Sequence, residues 1–94
     1  MSEYIIKHNE LTAEQFLYLW ESVWGEGPSP EQTRLAMEHT LFRVSVFDGD
    51  RIIGMARMIG DMGLDYYIKD VVVLPGYQGR GIGRMMINEL LRCK

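Results

Sequence analysis

Ninety-four residues, 47% of them apolar, with a formal net charge of −3, describe a chain with one small core. The charge and the scatter of Lys and Arg exclude a nucleic-acid footprint, which would gather cations on one face. A lone Cys93 excludes an internal disulfide, no Cys/His cluster has metal-ligand spacing, and no apolar run approaches the roughly 20 residues of a membrane span. No charged leader with an apolar core is present either, so a cytoplasmic protein without nucleic-acid, membrane or metal partners is expected.

In chain order, Tyr4-Ile5-Ile6-Lys7-His8 predicts a short strand that ends at the turn-prone Asn9-Glu10. Thr12 with Gln15 makes a capping box and Leu11 with Phe16 a hydrophobic staple, so a helix is predicted from Ala13 to Trp24. Its broad apolar face of Phe16, Leu17, Leu19, Trp20, Val23 and Trp24 is suited to packing on a sheet. Gly25-Glu26-Gly27-Pro28 breaks it. Ser29 as N-cap, Pro30 at the first helical position and Gln32 at N3 then start a second helix, expected to end near Thr40.

From there the period changes to two. Phe42, Val44 and Val46 alternate with Arg43, Ser45 and Phe47, and Asp48-Gly49-Asp50 is hairpin chemistry leading into a strand from Arg51 to Ile59. Gly60-Asp61-Met62-Gly63 supplies a further turn, and a strand from Tyr66 to Leu74 follows, apolar on both faces at its end. The final helix is expected to turn Ile82, Met86, Leu90, Ile87 and Leu91 inward and Arg84, Asn88, Glu89 and Arg92 outward. His8 and His39 have no partner that the sequence identifies, and Cys93 reads as a helix residue near a terminus. The order is β-α-α-β-β-β-α in a single domain, 1–94, without repeats or linkers.

The most informative stretch is where Tyr67-Ile68-Lys69-Asp70-Val71-Val72-Val73-Leu74 meets Pro75-Gly76-Tyr77 and then Gln78-Gly79-Arg80-Gly81-Ile82-Gly83. A strand, a glycine-rich turn and a helix start in series present unpaired N–H groups and the positive end of a helix dipole, the setting for a phosphorylated ligand. A Walker loop needs Lys-Ser or Lys-Thr after its last glycine, and Gly81 is followed by Ile82. A dinucleotide fingerprint needs G-x-G-x-x-G, whereas Gly79, Gly81 and Gly83 run G-x-G-x-G. The pattern that remains is Q/R-x-x-G-x-G/A after an apolar strand, with Gln78, Gly81 and Gly83 at its defining positions. On these residues the chain resembles the GNAT superfamily of acyl-CoA N-acyltransferases.

That resemblance implies an α/β fold with a mainly antiparallel sheet, and direct transfer of an acetyl group from acetyl-CoA to a primary amine of a small molecule or peptide. It implies that the main chain around Val71, Val72 and Val73 binds the acyl carbonyl and pantetheine amides, with a bulge freeing an N–H from the ladder. It also assigns Gln78, Gly79, Arg80, Gly81, Ile82, Gly83 and Arg84 to the cofactor, their N–H groups holding the pyrophosphate and the two arginines adding charge or, for Arg80, standing in solvent. Asp70 is either an acidic group near the amine or a carboxylate paired with Lys69 or Arg57. Tyr66 and Tyr67 are either core aromatics or pocket wall, and Trp24 with the loop after it resembles the region that covers the acceptor.

Complete members of the family continue with further strands and a helix. The sequence ends at Lys94 inside a helical pattern with no glycine stop, so the expectation is an incomplete GNAT domain with one wall of the pantetheine slot. A bare strand edge then implies a homodimer formed through that edge or through the final helix. Two function classes follow: an amine N-acetyltransferase, and a non-catalytic CoA-binding or self-associating fragment of one.

Overall fold

Capping and turn chemistry set the element boundaries in the computed structural model, which describes residues 4–93. The order is β1 (Ile5–His8), α1 (Ala13–Trp24), α2 (Pro30–Glu38), β2 (Phe42–Asp48), β3 (Arg51–Gly60), β4 (Tyr66–Val73), a 3-10 turn (Pro75–Tyr77) and α3 (Ile82–Cys93). Both capping boxes form. Thr12 Oγ1 accepts the Gln15 N–H at 3.1 Å while Gln15 Oε1 accepts the Thr12 N–H at 3.0 Å, and Ser29 and Gln32 repeat the exchange at 3.1 and 3.2 Å. α2 stops at Glu38 rather than near Thr40, whose hydroxyl donates to the Ala36 carbonyl at 2.7 Å and so satisfies an acceptor of the last turn.

The strands form one antiparallel sheet in the order β1-β2-β3-β4. α1 packs on one face, where the Phe16 ring lies against Arg57, and α3 on the other, where Met86 presses on Gly54. Ile53 to Ala56 are therefore buried without a break, the pattern of a strand covered on both sides. The core joins Phe16 and Leu19 of α1, Val44 and Val46 of β2, Met55 and Met58 of β3, and Ile82, Met86 and Leu90 of α3. Each fully buried Leu or Met there contributes about 1.5–3 kcal/mol relative to exposure.

Two expectations are corrected. Leu91 was expected to face inward and is 46% exposed, because the sheet takes only the narrow row Ile82, Met86 and Leu90, and Leu91 sits about 100° round the helix from Leu90. His8 does have partners: its Nε2 lies 3.9 Å from Glu89 Oε2 and its Nδ1 3.8 Å from Cys93 Sγ, contacts that join the first strand to the last helix.

The β3–β4 turn is built around two residues. A Cβ at Gly60 would overlap the backbone carbonyl of Asp65, so only glycine fits there. Asp61 Oδ1 accepts N–H groups from Gly63, Leu64 and Asp65 at 2.9, 2.8 and 3.0 Å. These donors, led by Asp65, hold the Asp61 carboxyl below the usual carboxylate range.

Candidate functional site

The glycine loop is shaped by backbone and braced by side chains. β4 gives way to the 3-10 turn as the Leu74 N–H donates to Ile53 at 2.9 Å, and Gln78 Nε2 donates back to the Val73 carbonyl at 3.0 Å. Gly79 and Gly81 have φ of +82° and +81°, a region that side chains with a Cβ rarely adopt. The first backbone bond of α3 runs from the Met85 N–H to the Gly81 carbonyl at 3.0 Å. The N–H groups of Ile82, Gly83 and Arg84 therefore precede the ladder and are available as donors at the positive end of the helix. Ile82 anchors this end in the core at 2% exposure, and the Arg84 side chain is exposed.

Tyr77 fastens the loop to the β2–β3 hairpin, its hydroxyl donating to Asp48 Oδ2 at 2.7 Å, a bond that pushes the phenol above its usual range. Arg80 does not stand free in solvent. Its Nη1 donates to the Tyr4 hydroxyl at 3.0 Å, its Nη2 to the Gly76 carbonyl at 3.3 Å, and its guanidinium lies 5.1 Å from the Tyr77 ring centre, with Arg51 at 5.7 Å from the same ring. The Tyr4 bond is the main reason that Arg80 is held above its usual range.

On β4 the register with β3 jumps from Met55↔Val72 to Arg57↔Lys69, so Asp70 and Val71 together oppose Ala56. This is a β-bulge, and it falls at the start of the valine run. Asp70 has φ +56°, an uncommon value for a residue with a side chain, and Asp is among the few types that tolerate it. Alternation would send Asp70 and Lys69 to opposite faces. The bulge instead turns Asp70 to the α1 side, where its Oδ2 accepts the Arg57 Nε–H at 2.6 Å. Arg57 Nη1 also donates to Thr40 Oγ1 at 3.1 Å, and both members of the ion pair are largely covered, at 14% and 11% exposure. Oδ1 of Asp70 has no hydrogen-bond partner among the described residues.

The ion pair floors a cleft of about 310 Å³ between α1, α2 and β4, walled by Phe16, Trp20, Pro28 and Thr33, with Lys69 also lining it. Trp20 packs edge-on against Trp24 with ring centres 4.7 Å apart, so Trp24, itself 51% exposed, supports the wall from behind. Tyr67 is 58% exposed and Tyr66 packs against the core, and neither lines the cleft. A larger hollow of about 730 Å³ lies between the β1–α1 connection and α2, but the Arg43 guanidinium that reaches it is engaged by the Leu11 and Met37 carbonyls. Among the described residues, no group of His, Cys, Asp or Glu is placed to hold a metal ion, and no helix is long and apolar enough to cross a membrane.

Sequence reasoning pointed to Asp70, the valine run and the glycine loop, but not to Trp20 or Thr33 in the cleft wall or to Thr40 beside Arg57. The Gly27-Pro28 pair was the available signal: a Cβ at Gly27 would lie 3.0 Å from Trp20 Cδ1, so the loop after α1 passes close against the indole.

Comparison with known proteins agrees with this geometry. The model of the acetyltransferase (GNAT) family matches residues 8–93. A histone acetyltransferase, TAP1, from Glycine max is 50% identical over 42 residues, 45% of this chain and 18% of the relative, so the chain spans under a fifth of that protein. A solved Staphylococcus aureus protein of unknown function superposes with TM-score 0.88 at 29% identity, covering 96% of this chain and 68% of the other. A GNAT family acetyltransferase from Streptococcus pneumoniae does so with TM-score 0.83 at 32% identity, covering 96% and 67%. With the bulged strand, the glycine loop and the helix start in the matched span, the chain belongs to the acetyltransferase (GNAT) family.

Proposed function

We propose that this chain holds acetyl-CoA along β4 and the glycine loop, and forms the donor-binding part of an N-acetyltransferase whose acceptor is a primary amine. The observation that carries this reading is the conjunction of the β4 bulge with the open N–H groups at the start of α3. The residues fit the group: Gly79 and Gly81 present no side chain to an approaching pyrophosphate, and a model Cβ at either meets no atom within 4 Å. Donors at Ile82, Gly83 and Arg84 would take phosphate oxygens, with the Arg84 side chain adding charge. β4 is the end strand of the sheet among the described residues, so its outer N–H and C=O groups are open to pantetheine amides.

When bound, the thioester supplies an activated acetyl group, and the chain's own work is to place and deprotonate the amine. Asp70 is the acceptor of choice for the amine proton, directly or through one water. Its Oδ2 is fixed by Arg57 and its Oδ1 is unpartnered, so one oxygen orients the group while the other receives a hydrogen bond from the amine. The bulge places this carboxylate next to Val71, whose backbone adjoins the proposed acyl site.

Calorimetric titration with CoA and acetyl-CoA tests the reading. Micromolar binding supports it; absence of heat with a well-folded chain overturns it. The alternative, self-association, is supported by the same unpaired edge of β4 and by exposed Tyr67, and is tested by light scattering over a dilution series. Concentration-dependent mass supports a homodimer, and a constant monomer mass at low micromolar concentration removes it.

A further inference from the structure

Antiparallel register lines up three cations across neighbouring strands. Arg43 of β2 stands opposite Arg57 of β3, and Arg57 opposite Lys69 of β4. Like charges directly opposite on one face destabilise a sheet, so each needs an answering group. Arg43 has two: Nε donates to the Leu11 carbonyl at 3.0 Å and Nη1 to the Met37 carbonyl at 3.2 Å, the latter at the negative end of α2. Arg57 has Asp70 and Thr40. Lys69 has neither an ion pair nor a hydrogen bond among the described residues, and it lines the cleft beside Asp70.

The cleft therefore holds two cations and one carboxylate, with Phe16, Trp20, Pro28 and Ala36 as its apolar wall and Gln32 and Thr33 as neutral polar lining. The positive surplus leaves the balancing anion to be brought by the ligand, while the Asp70 carboxylate is the one group in the cleft that answers an ammonium. A molecule with several ammonium groups would set one of them against Lys69 or Arg57. The volume of about 310 Å³ lies at the small end of ligand pockets.

We infer that the acceptor is a small zwitterion of the amino-acid type, its carboxylate paired with Lys69, its amine against Asp70 and its apolar side chain resting on Phe16 and Trp20. This rests on the reading of the cleft as the acceptor site, and makes Lys69 a specificity-determining residue.

Of the chain's two tryptophans, Trp20 lines this cleft and Trp24 packs against Trp20, so intrinsic fluorescence reports its occupancy without CoA. The chain is titrated with L-phenylalanine, with phenethylamine, which is the same skeleton without the carboxylate, and with spermidine. L-Phenylalanine is expected to bind about threefold tighter than phenethylamine, or better, with spermidine weakest. Lys69→Glu, at an exposed side chain with no partner to lose, is expected to invert that order while the melting curve stays in place. Equal or weaker binding of L-phenylalanine than of phenethylamine overturns the zwitterion inference and leaves the acceptor cleft standing, as does an order unchanged in a folded Lys69→Glu variant. Failure of all three probes to change the fluorescence overturns the acceptor cleft itself, and CoA calorimetry on the same sample reports separately on the donor loop.

Discussion

The two halves of the proposed site are made from different materials. The glycine loop is a backbone device: its shape follows from the signs of φ at Gly79 and Gly81 and from the unpaired donors at the start of α3, all within a few residues of one another. The cleft is a side-chain device. It exists because a bulge turns Asp70 toward Arg57, because register sets Lys69 opposite that arginine, and because Gly27-Pro28 folds over Trp20. A backbone site tolerates change in most side chains and fails when conformation fails. A side-chain site fails one residue at a time, and can be retuned the same way.

The strongest test of this contrast is at Asp70. Asn also tolerates positive φ, so Asp70→Asn keeps the bulge while removing the proton acceptor. Wherever acetyl transfer is measured, kcat should fall by about a hundredfold or more at neutral pH, with CoA affinity unchanged by calorimetry. Wild-type turnover would assign Asp70 to holding Arg57 alone.

At the loop, Gly81→Val should act through the backbone. A β-branched residue at φ +81° is strained by about 1–3 kcal/mol, so the melting temperature and CoA affinity should fall together. A variant as stable as the parent would mean that the loop does not need this conformation.

Arg84→Glu separates what Gly81→Val confounds. A carboxylate in the first turn of α3 suits the helix dipole but repels phosphate, so CoA affinity should drop about tenfold while the melting temperature holds or rises. Unchanged affinity would remove Arg84 from the cofactor site.

The smallest effects concern pH. The Tyr77 phenol is held above its usual range by Asp48, so this bond stabilises the fold at neutral pH and its contribution disappears as pH rises through the raised folded value. Tyr77→Phe should abolish that alkaline dependence and lower the melting temperature slightly. Asp61 has the opposite sign. Its lowered folded value gives a contribution fully present above about pH 4 and lost as pH falls through the folded pKa, which Asp61→Asn should remove from an acid melting series.

What could be read from the sequence was what is local along the chain. Thr12 with Gln15 and Ser29 with Gln32 declare their helix starts within three residues, and the structure has both boxes. The glycine loop is equally local, which is why the family resemblance was visible in it. Register is not local. Arg57 was one of two open partners for Asp70, and only the position of the bulge decides between it and Lys69. The meeting of His8 with Glu89 and Cys93 joins the two ends of the described chain, and Leu91 faces solvent because the sheet's width, not the helix's own apolar pattern, limits what α3 can bury.

The bond from Tyr77 to Asp48 also bears on how this fold can be recombined. A ten-residue graft of the glycine loop into another member would leave its fastener behind, since the acceptor of that bond belongs to the hairpin tip. The natural unit of exchange is the stretch 48–84, in which the β2–β3 turn, β3, the bulged strand and the loop travel with the Tyr77–Asp48 bond intact. Chimeras cut inside it should show a disordered loop by amide exchange even when every glycine is retained.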